Sequence, residues 1–213
     1  MNTLILNEIS EKLQRGKAKD VAALVTQALE EQLPAGEILN EGLVAGMNII
    51  GAKFQANEVF VPEVLVAARA MNKGTELIKP LLAAEGNQPI GKACIGTVQG
   101  DLHDIGKNIV KLMLESQNID VIDLGVDVPA DKFIEAMKAN PDCKIVALSA
   151  LLTTTMPAIK NTIDAIVASG LRDTVKIMIG GAPVTQAFAD EVGADGYSED
   201  AASAAELAQK LIA

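Results

Sequence analysis

One short segment of the chain combines residue types that could bind a metal ion. It spans residues 100–106 and contains His103, the single histidine of the 213 residues, together with Asp101 and Asp104. A carboxylate two residues before an imidazole can accept the proton of one ring nitrogen, which fixes the tautomer and leaves the other nitrogen free as a metal donor. The sequence therefore predicts that Asp101 orients His103 as a ligand.

A simpler interpretation of the same segment stays open. A single histidine is often a surface or core residue whose nitrogens are satisfied by neighbouring groups. Either Asp101 or Asp104 could cap a helix that follows. The functional interpretation therefore depends on which other residues the fold brings to this place.

Local sequence patterns place the segment between a strand and a helix. The apolar run at residues 93–98 is typical of a buried strand, and the apolar period that begins at Ile105 indicates an amphipathic helix. His103 then lies on a loop at the carboxyl end of a strand, which is where open α/β sheets bind ligands. Gly106, at the start of the helix, would let a ligand approach the backbone closely.

Composition and charge narrow the classes of function. The chain is 49% hydrophobic, which suits a globular core, and its net charge of −10 argues against nucleic acid and against an anionic membrane surface. No apolar run is long enough for a membrane span, and the first residues lack the basic region of a signal peptide. Cys94 and Cys143 lie far apart in sequence and form no CxxC motif, so we expect free thiols and a reducing, cytoplasmic location.

The first part of the chain predicts a helical bundle. Up to about Ala84 the apolar residues recur with a helical period in four stretches, and Pro34 and Pro62 suit the starts of the third and fourth helices. Helices with short connections predict a small antiparallel four-helix bundle. Residues 85–89 are polar and contain glycine and proline, so we place a linker there, between a helical domain over residues 1–86 and a second domain over residues 89–213.

Two features of this bundle each allow a structural and a functional interpretation. The third helix contains Gly42 and Gly46, which either permit close helix packing or present a smooth face to a flat ligand. Phe54 and residues 59–61 flank the turn before Pro62, and they form an apolar lid if exposed or ordinary core if buried. Packing contacts and solvent exposure distinguish the alternatives.

From Ile90 onward, apolar strands alternate with amphipathic helices. We expect strands near residues 93–98, 120–124, 144–149, 176–179 and 195–197, and helices near residues 105–116, 129–139, 157–169, 184–192 and 200–211. Continuous apolar strands between helices predict a parallel sheet covered on both faces. The sequence thus predicts an α/β domain with a doubly wound, flavodoxin-like or Rossmann-like sheet of five strands in the order 2-1-3-4-5.

Three loops at the carboxyl ends of these strands are expected to meet at one mouth of the sheet. They comprise residues 100–106, residues 149–156 and the pair Gly180–Gly181. Together they predict a slot with hydroxyl groups on one side, bare backbone on the other and an imidazole at the rim. The glycine pair could also serve only a turn, and we expect Thr154 and Thr155 to cap the helix that follows them.

These motifs resemble a known signature. The order Asp-x-His-x-x-Gly at residues 101–106, Ser-x-Leu at 149–151 and Gly-Gly at 180–181 resembles that of cobalamin-binding domains. Residues 46–54 and 61–71 are similar to the helical cap domain of cobalamin-dependent methionine synthase, although Val61 stands where that cap commonly has a leucine. Nearly the whole chain resembles the small corrinoid proteins of methyltransferase systems for methanol, methylamines and methoxylated aromatics.

The resemblance implies a set of cofactor contacts. His103 would replace the dimethylbenzimidazole of cobalamin as the lower axial ligand of cobalt, with Asp101 bonded to the imidazole and Ser149 extending the relay. The displaced nucleotide tail would enter a slot lined by Ser149, Leu151, Thr153, Gly180 and Gly181. The remaining implied cofactor contacts are Gly100, Leu102, Asp104, Ile105, Gly106, Phe54 and Val61.

The resemblance also implies a methyl carrier rather than a complete enzyme. A substrate-specific methyltransferase would deliver a methyl group to the Co(I) form of the cofactor, and a second methyltransferase would pass it to tetrahydrofolate or coenzyme M. A reductive activation protein is a further expected partner. The cap, through Phe54 and Val61, would cover the methyl-bearing face and move aside about a hinge at residues 85–89.

Other functions fit the chain less well. A cobalamin-dependent mutase subunit would need a large substrate barrel, and a light-sensing cobalamin repressor would need a basic DNA-binding module. The alternative from a different class is a flavodoxin-like flavin-binding or phosphoryl-binding domain. It would explain the topology and Asp101, but not the three spaced motifs and the cap together.

Overall fold

A computed structural model of the protein describes residues 2–213, except for the side chains of Asn2 and Ala83. The chain forms two compact units, and the boundary between them lies between Pro89 and Ile90. No helix in the described part of the chain is long and apolar enough to cross a membrane.

The first unit is built from four helical stretches. They are α1 (Asn2–Gln14), α2 (Ala18–Glu30), α3, which joins Ala35–Glu37, the π-helical Ile38–Val44 and Ala45–Gln55 without a break, and α4 (Val61–Ala84). Helix α1 packs against α2 and α3, and α2 packs against α4. The helical apolar period of the sequence therefore buries a common core that includes Ile9, Leu13, Val25, Leu43 and Ile78. The predicted helical bundle is confirmed.

The glycines of α3 serve helix packing. A Cβ atom at Gly42 would lie 3.2 Å from Cγ2 of Ile9, and one at Gly46 would lie 3.1 Å from Cδ2 of Leu13 and 3.2 Å from Cα of Ser10. Larger residues at either position would push α3 away from α1. The packing interpretation of these two glycines is confirmed, and the interpretation as a smooth ligand-facing surface is wrong for them.

The apolar turn before α4 is only partly buried. Phe60 exposes 62% of its surface, whereas Phe54, Val59 and Val61 are half-buried. The turn is therefore neither ordinary core nor a fully exposed lid. Phe60 is the member of this run best placed to contact a group outside the unit.

The segment that the sequence predicts as a linker begins as part of the first unit. The Glu85 carboxylate accepts hydrogen bonds from the backbone N–H of Ala35 at 2.9 Å and of Gly36 at 3.1 Å, and the Asn87 amide donates to the same carboxylate at 3.2 Å. The two backbone hydrogen bonds at the start of α3 hold the pKa of Glu85 below its ordinary value. A hinge at this place would therefore begin no earlier than Gln88.

The second unit is a doubly wound α/β sheet. Its strands are β1 (Gly91–Thr97), β2 (Ile119–Asp123), β3 (Cys143–Ser149), β4 (Lys176–Gly180) and β5 (Gly196–Tyr197). Its helices are α5 (Ile105–Ser116), α6 (Ala130–Ala139), α7 (Met156–Ala168), α8 (Gln186–Val192) and α9 (Ala201–Ile212), and a short 3-10 turn covers Arg172–Thr174. All neighbouring strands are parallel, in the order β2-β1-β3-β4-β5. The predicted fold class and strand order are confirmed.

Helices cover the sheet because the central parts of its inner strands β1, β3 and β4 are apolar and buried. One continuous core joins Phe133 of α6 and Ile163 of α7 to Val146 of β3 and Ile177 of β4. Helix α5 packs beside α9. This framework fixes the carboxyl ends of β1, β3 and β4 side by side, and the three predicted loops begin there.

Candidate functional site

Asp101 and His103 lie on the loop after β1, and their side chains are directly bonded. Nδ1 of His103 lies 2.7 Å from Oδ1 of Asp101, and the backbone N–H of His103 donates to the same oxygen at 3.1 Å. Because an ionised carboxylate can only accept, we assign the ring proton to Nδ1, which leaves the lone pair on Nε2. The imidazole side chain is 50% exposed. The predicted Asp101–imidazole bond is confirmed, and Nε2 is available to an external ligand.

The Asp101 carboxylate is fully buried and saturated with hydrogen bonds. Its Oδ2 accepts from the backbone N–H of Leu151 at 2.8 Å, from that of Leu152 at 3.3 Å and from the Thr155 hydroxyl at 2.7 Å. Burial by itself raises the pKa of Asp101, but the hydrogen bonds from Thr155, Leu151 and His103 outweigh it and hold the pKa well below its ordinary value. The group therefore stays a carboxylate.

The hydroxyl partner of Asp101 differs from the predicted one. The resemblance implies Ser149, but Thr155 donates the hydroxyl hydrogen bond to Asp101. Thr155 occupies the N-cap position of α7 without a side-chain capping bond, so its predicted capping role is wrong. Ser149 ends β3, where its carbonyl accepts from the backbone N–H of Val98. The loop between these two residues turns the threonine, which is almost fully buried, toward the carboxylate.

Capping does not explain the two aspartates either. Asp104 occupies the N-cap position of α5 but makes no side-chain capping bond, and its Oδ2 accepts instead from the Asn108 amide at 3.2 Å. The side chain of Asp101 serves the imidazole and the loop after β3. The capping alternative for both residues is wrong.

Two residues outside the predicted set hold the histidine loop in place. The Thr97 hydroxyl donates to the backbone carbonyl of His103 at 2.8 Å. Asp127, on the loop after β2, accepts from the Gly100 N–H at 2.7 Å, and its own N–H donates to the Asp101 carbonyl at 2.9 Å. The bonds of Asp127 join positions far apart in sequence, and no local pattern marks either residue.

A second carboxylate at the same edge of the sheet has cationic partners. Asp123, the last residue of β2, accepts from Nζ of Lys107 at 2.6 Å and from Nζ of Lys111 at 3.4 Å. The Lys107 side chain is only 2% exposed. Burial raises the pKa of Asp123, but the Lys107 ammonium and the backbone N–H of Gly125 lower it overall. Sequence reasoning missed this pair because a lysine in the first turn of a helix is usually solvated.

The structure brings the predicted slot residues to neighbouring strand ends. Ser149 and Gly180 are register partners at the ends of β3 and β4, and both are half-buried. Leu151, Thr153 and Gly181 follow them and are exposed. Gly181 has φ +124°, and a Cβ atom there would lie 1.8 Å from the carbonyl oxygen of Ala150, so only glycine fits.

Gly180 has a different reason to be glycine. A Cβ atom at this position would lie 3.6 Å from the Ser198 carbonyl oxygen, which is ordinary van der Waals contact. The protein itself therefore does not require glycine there. A ligand group that enters between the ends of β3 and β4 would require it.

The surface beside the imidazole is unusually apolar. Leu102 and Ile105, the neighbours of the His103–Asp104 pair, are 72% and 71% exposed. Leu151 and Leu152 are also exposed, and nothing lies within 4 Å of the position that a Cβ atom would take at Gly106. Apart from Asp101, the predicted cofactor contacts on the loop around His103 are all exposed, namely Gly100, Leu102, Asp104, Ile105 and Gly106. Such exposure would let them contact a flat apolar group. Phe54 and Val61 belong to the first unit, and their contact with a cofactor stays a prediction.

In residues 2–213, no three His, Cys, Asp or Glu side chains converge as a metal site. A metal ion bound at Nε2 of His103 would therefore take its other ligands from the group that carries it. A corrin ring supplies its own equatorial nitrogens and needs one axial donor from the protein. The exposed lone pair, the open space at Gly106 and the apolar rim fit such a group.

Comparison with known proteins points to the same cofactor. A family model described as a B12 binding domain matches residues 91–206, and a second model with the same description matches residues 5–79. Dimethylamine corrinoid protein 1 of Methanosarcina acetivorans is 44% identical over 92% of this chain and 92% of its own length. A corrinoid protein of Desulfitobacterium hafniense is 39% identical over 98% of this chain and 97% of its own length.

Solved structures share the architecture of both units. A cobalamin-binding protein from Desulfitobacterium hafniense matches with a TM-score of 0.82 and 30% identity over 98% of each chain. The methanol:cobalamin methyltransferase complex of Methanosarcina barkeri matches with a TM-score of 0.85 and 30% identity over 98% of this chain and 79% of that one. With the imidazole site and the two matched B12 binding domains, these similarities show that the chain belongs to the cobalamin-binding corrinoid proteins.

Proposed function

We propose that the protein is the methyl carrier of a methyltransferase system that demethylates a methylated amine. When bound, cobalamin supplies a cobalt ion that accepts a methyl group from one partner and releases it to another. The observation that carries the proposal is the half-exposed His103 imidazole, which a buried carboxylate holds through Nδ1 so that Nε2 is left as the donor. The amine class is supported by 44% identity to a dimethylamine corrinoid protein.

In this proposal His103 would bind the cobalt ion of the cofactor through Nε2. Asp101 keeps the ring proton on Nδ1, and its negative charge strengthens the imidazole as a donor. The pKa of Asp101 is held low by Thr155 and Leu151, so the carboxylate does not take up a proton itself.

In this proposal the displaced nucleotide tail of the cofactor would be held by five residues at the ends of β3 and β4, namely Ser149, Leu151, Thr153, Gly180 and Gly181. Support comes from the register pairing of Ser149 with Gly180 and from the Cβ space at Gly180 that the protein leaves open. Replacement of Gly180 by valine should abolish tight binding of cobalamin. The unfolding midpoint of the cofactor-free protein should change little, which distinguishes a filled slot from a damaged fold.

In this proposal the helical domain, residues 1–86, would shield the cofactor bound by the domain at residues 89–213 from water. Phe54 and Val61 contribute apolar contacts, and we add Phe60 because 62% of its surface is exposed. Shielding must be reversible, since each partner needs access to the same face. Shortening the connection at Gln88 and Pro89 should therefore block methyl transfer while cobalamin stays bound.

The partners in this proposal are a substrate-specific methyltransferase, a second methyltransferase with tetrahydrofolate or coenzyme M as acceptor, and a reductive activation protein. A solved methanol:cobalamin methyltransferase complex with a TM-score of 0.85 to this chain supports the first of these. The acceptor and the activation protein rest on the family resemblance.

The function is tested by pairing the reduced, cobalamin-loaded chain with purified methyltransferases specific for dimethylamine or for methanol. We expect stoichiometric demethylation of dimethylamine, measured as monomethylamine formed per loaded chain. Demethylation of methanol alone would overturn the amine assignment and keep the carrier function. Transfer from neither substrate, with cobalamin still bound, would overturn the carrier function.

A further inference from the structure

Two cysteine side chains touch at the end of the sheet opposite to the His103 loop. Cys94 lies in β1, Cys143 is the first residue of β3, and their Sγ atoms are 3.5 Å apart. Both thiols are free, and both residues are buried, with 0% and 2% of their surface exposed. The sequence predicts two unrelated thiols because the cysteines are distant along the chain. Adjacent strands bring them into contact.

An irregularity in the sheet places the two sulfur atoms together. Lys92 pairs with Cys143, but the next residue, Ala93, pairs with Ile145, so β3 carries one extra residue at this point. Such a bulge re-aims the side chain beside it. The Cys143 thiol reaches both Sγ of Cys94 at 3.5 Å and the carbonyl oxygen of Ile145 at 3.1 Å.

A cavity in the same unit is lined by one of the two cysteines. It has a volume of about 280 Å³, is partly open to solvent, and is lined by Cys143 with Met137, Pro141, Leu171 and Val175. Cys94 does not line it. The two sulfur atoms are therefore inequivalent, because an incoming reagent meets Cys143 first.

The local electrostatics make the same distinction. The contact with Cys94 lowers the pKa of Cys143, which favours its thiolate. The same contact, together with burial, raises the pKa of Cys94, which stays a thiol. Cys143 is thus the nucleophile of the pair and Cys94 the second thiol.

We propose that Cys94 and Cys143 form a dithiol–disulfide site that a peroxide oxidises in the folded protein. The Cys143 thiolate attacks one peroxide oxygen, the O–O bond breaks, and hydrogen peroxide leaves hydroxide and a sulfenic acid on Cys143. The Cys94 sulfur, on losing its proton, attacks the sulfenic sulfur and expels a second hydroxide. The two hydroxides take up the two protons of the thiols, so two thiols and one peroxide become one disulfide and two water molecules.

The Cys94–Cys143 pair is separate from the candidate cofactor site. At a rise of about 3.3 Å per residue, roughly 20 Å of β3 lies between Cys143 and Ser149, and about 10 Å of β1 lies between Cys94 and Thr97. The oxidation therefore consumes a peroxide at the amino end of the sheet, away from His103. We expect the disulfide to leave cobalamin binding unchanged.

The test exposes the protein, loaded with oxidised cobalamin, to hydrogen peroxide in non-denaturing buffer. We expect a mass loss of roughly 2 Da, one cross-linked peptide that joins Cys94 to Cys143, and reversal by dithiothreitol. In a Cys94→Ser variant, dimedone should label Cys143 as a sulfenic acid. In a Cys143→Ser variant, Cys94 should stay unlabelled over the same time.

The dependence of the oxidation rate on urea shows whether the folded or the unfolded protein reacts with peroxide. A native-state reaction proceeds at the same rate in urea concentrations well below the unfolding transition, whereas oxidation through global unfolding speeds up as urea lowers the unfolding free energy. A rate independent of urea supports the proposal. A rate that rises with urea, a disulfide between two chains, or no cross-link in the native protein would overturn it, and this measurement needs no variant.

Discussion

Two carboxylates at neighbouring strand ends have opposite kinds of partner. Asp123, at the end of β2, is neutralised by Lys107 and Lys111. Asp101, just after β1, is bound by backbone N–H groups, a hydroxyl and the His103 imidazole. The pKa values of both aspartates are lowered, yet only the charge of Asp101 is left to act on a ligand. An ion-paired carboxylate stabilises the fold, whereas one satisfied by neutral donors can tune the group beside it.

The largest expected effect on stability breaks the ion pair. Asp123→Ala would leave the Lys107 ammonium buried with the neutral Asn108 side-chain oxygen but without its anionic partner, and we expect the unfolding free energy to fall by about 4 kcal/mol. Urea unfolding measures the loss. The matched control is the double variant with Lys107→Met, which should recover most of it. Because the pair does not touch His103, axial ligation of cobalamin should be unchanged; altered ligation would remove the contrast between the two carboxylates.

Asp101→Ala should lower the unfolding free energy slightly less than Asp123→Ala does. It should weaken the ligation of cobalamin by His103 much more. It removes the acceptor of the backbone N–H groups of His103, Leu151 and Leu152 and one of the two acceptors of the Thr155 hydroxyl, so we expect a loss of about 3 kcal/mol. It also frees the imidazole to rotate and to change tautomer, which should weaken its bond to cobalt. Spectroscopic titration with cobalamin measures the second effect. Intact ligation in this variant would show that Asp101 is only structural.

Variants of the two hydroxyl residues, Thr155 and Ser149, should differ from each other by a smaller change in unfolding free energy. Thr155→Val removes a hydrogen bond to a buried carboxylate and should cost about 2 kcal/mol. Ser149→Ala should change the unfolding free energy by less than about 0.5 kcal/mol, because that hydroxyl does not reach Asp101. Thr155→Ser is the conservative control and should behave like the native protein. Equal losses at positions 149 and 155 would contradict the observed relay.

The smallest expected effect is a dependence on pH. The pKa of Asp101 is lower in the folded than in the unfolded chain, so its contribution to stability is complete above the ordinary value of 3.8. That contribution is lost as the pH falls from there through the folded pKa. The stability gap between the native protein and Asp101→Asn should therefore be constant near neutrality and shrink below about pH 4, by up to about 1.4 kcal/mol per pH unit. Paired unfolding curves would show this, and a gap that stays constant in acid would contradict the low pKa.

The elements of the fold were largely predictable because their signals are local. The helix expected at residues 105–116 is observed as Ile105–Ser116, and the apolar strands between helices determine a parallel order. The Asp101–His103 bond was predictable for the same reason, since a single residue separates the partners. The spacing of motifs along the chain also indicated which loops would share an edge.

The remaining features depend on how distant segments meet. Thr155 rather than Ser149 contacts Asp101 because the loop after β3 turns its last residue inward, and no pattern in Thr-Thr-Thr reveals that turn. The contact between Cys94 and Cys143 depends on a one-residue register shift in the sheet. Both are properties of side-chain direction and register, which composition and periodicity do not carry.

The most direct test of the account is the identity of the axial ligand. The protein is made with nitrogen-15 histidine, loaded with cobalamin, reduced to Co(II), and measured by electron paramagnetic resonance. Because His103 is the single histidine in the sequence, the account predicts a superhyperfine splitting that changes with the label. A splitting insensitive to the label would mean that dimethylbenzimidazole still binds the cobalt, and would contradict the roles assigned to His103, Asp101 and the slot.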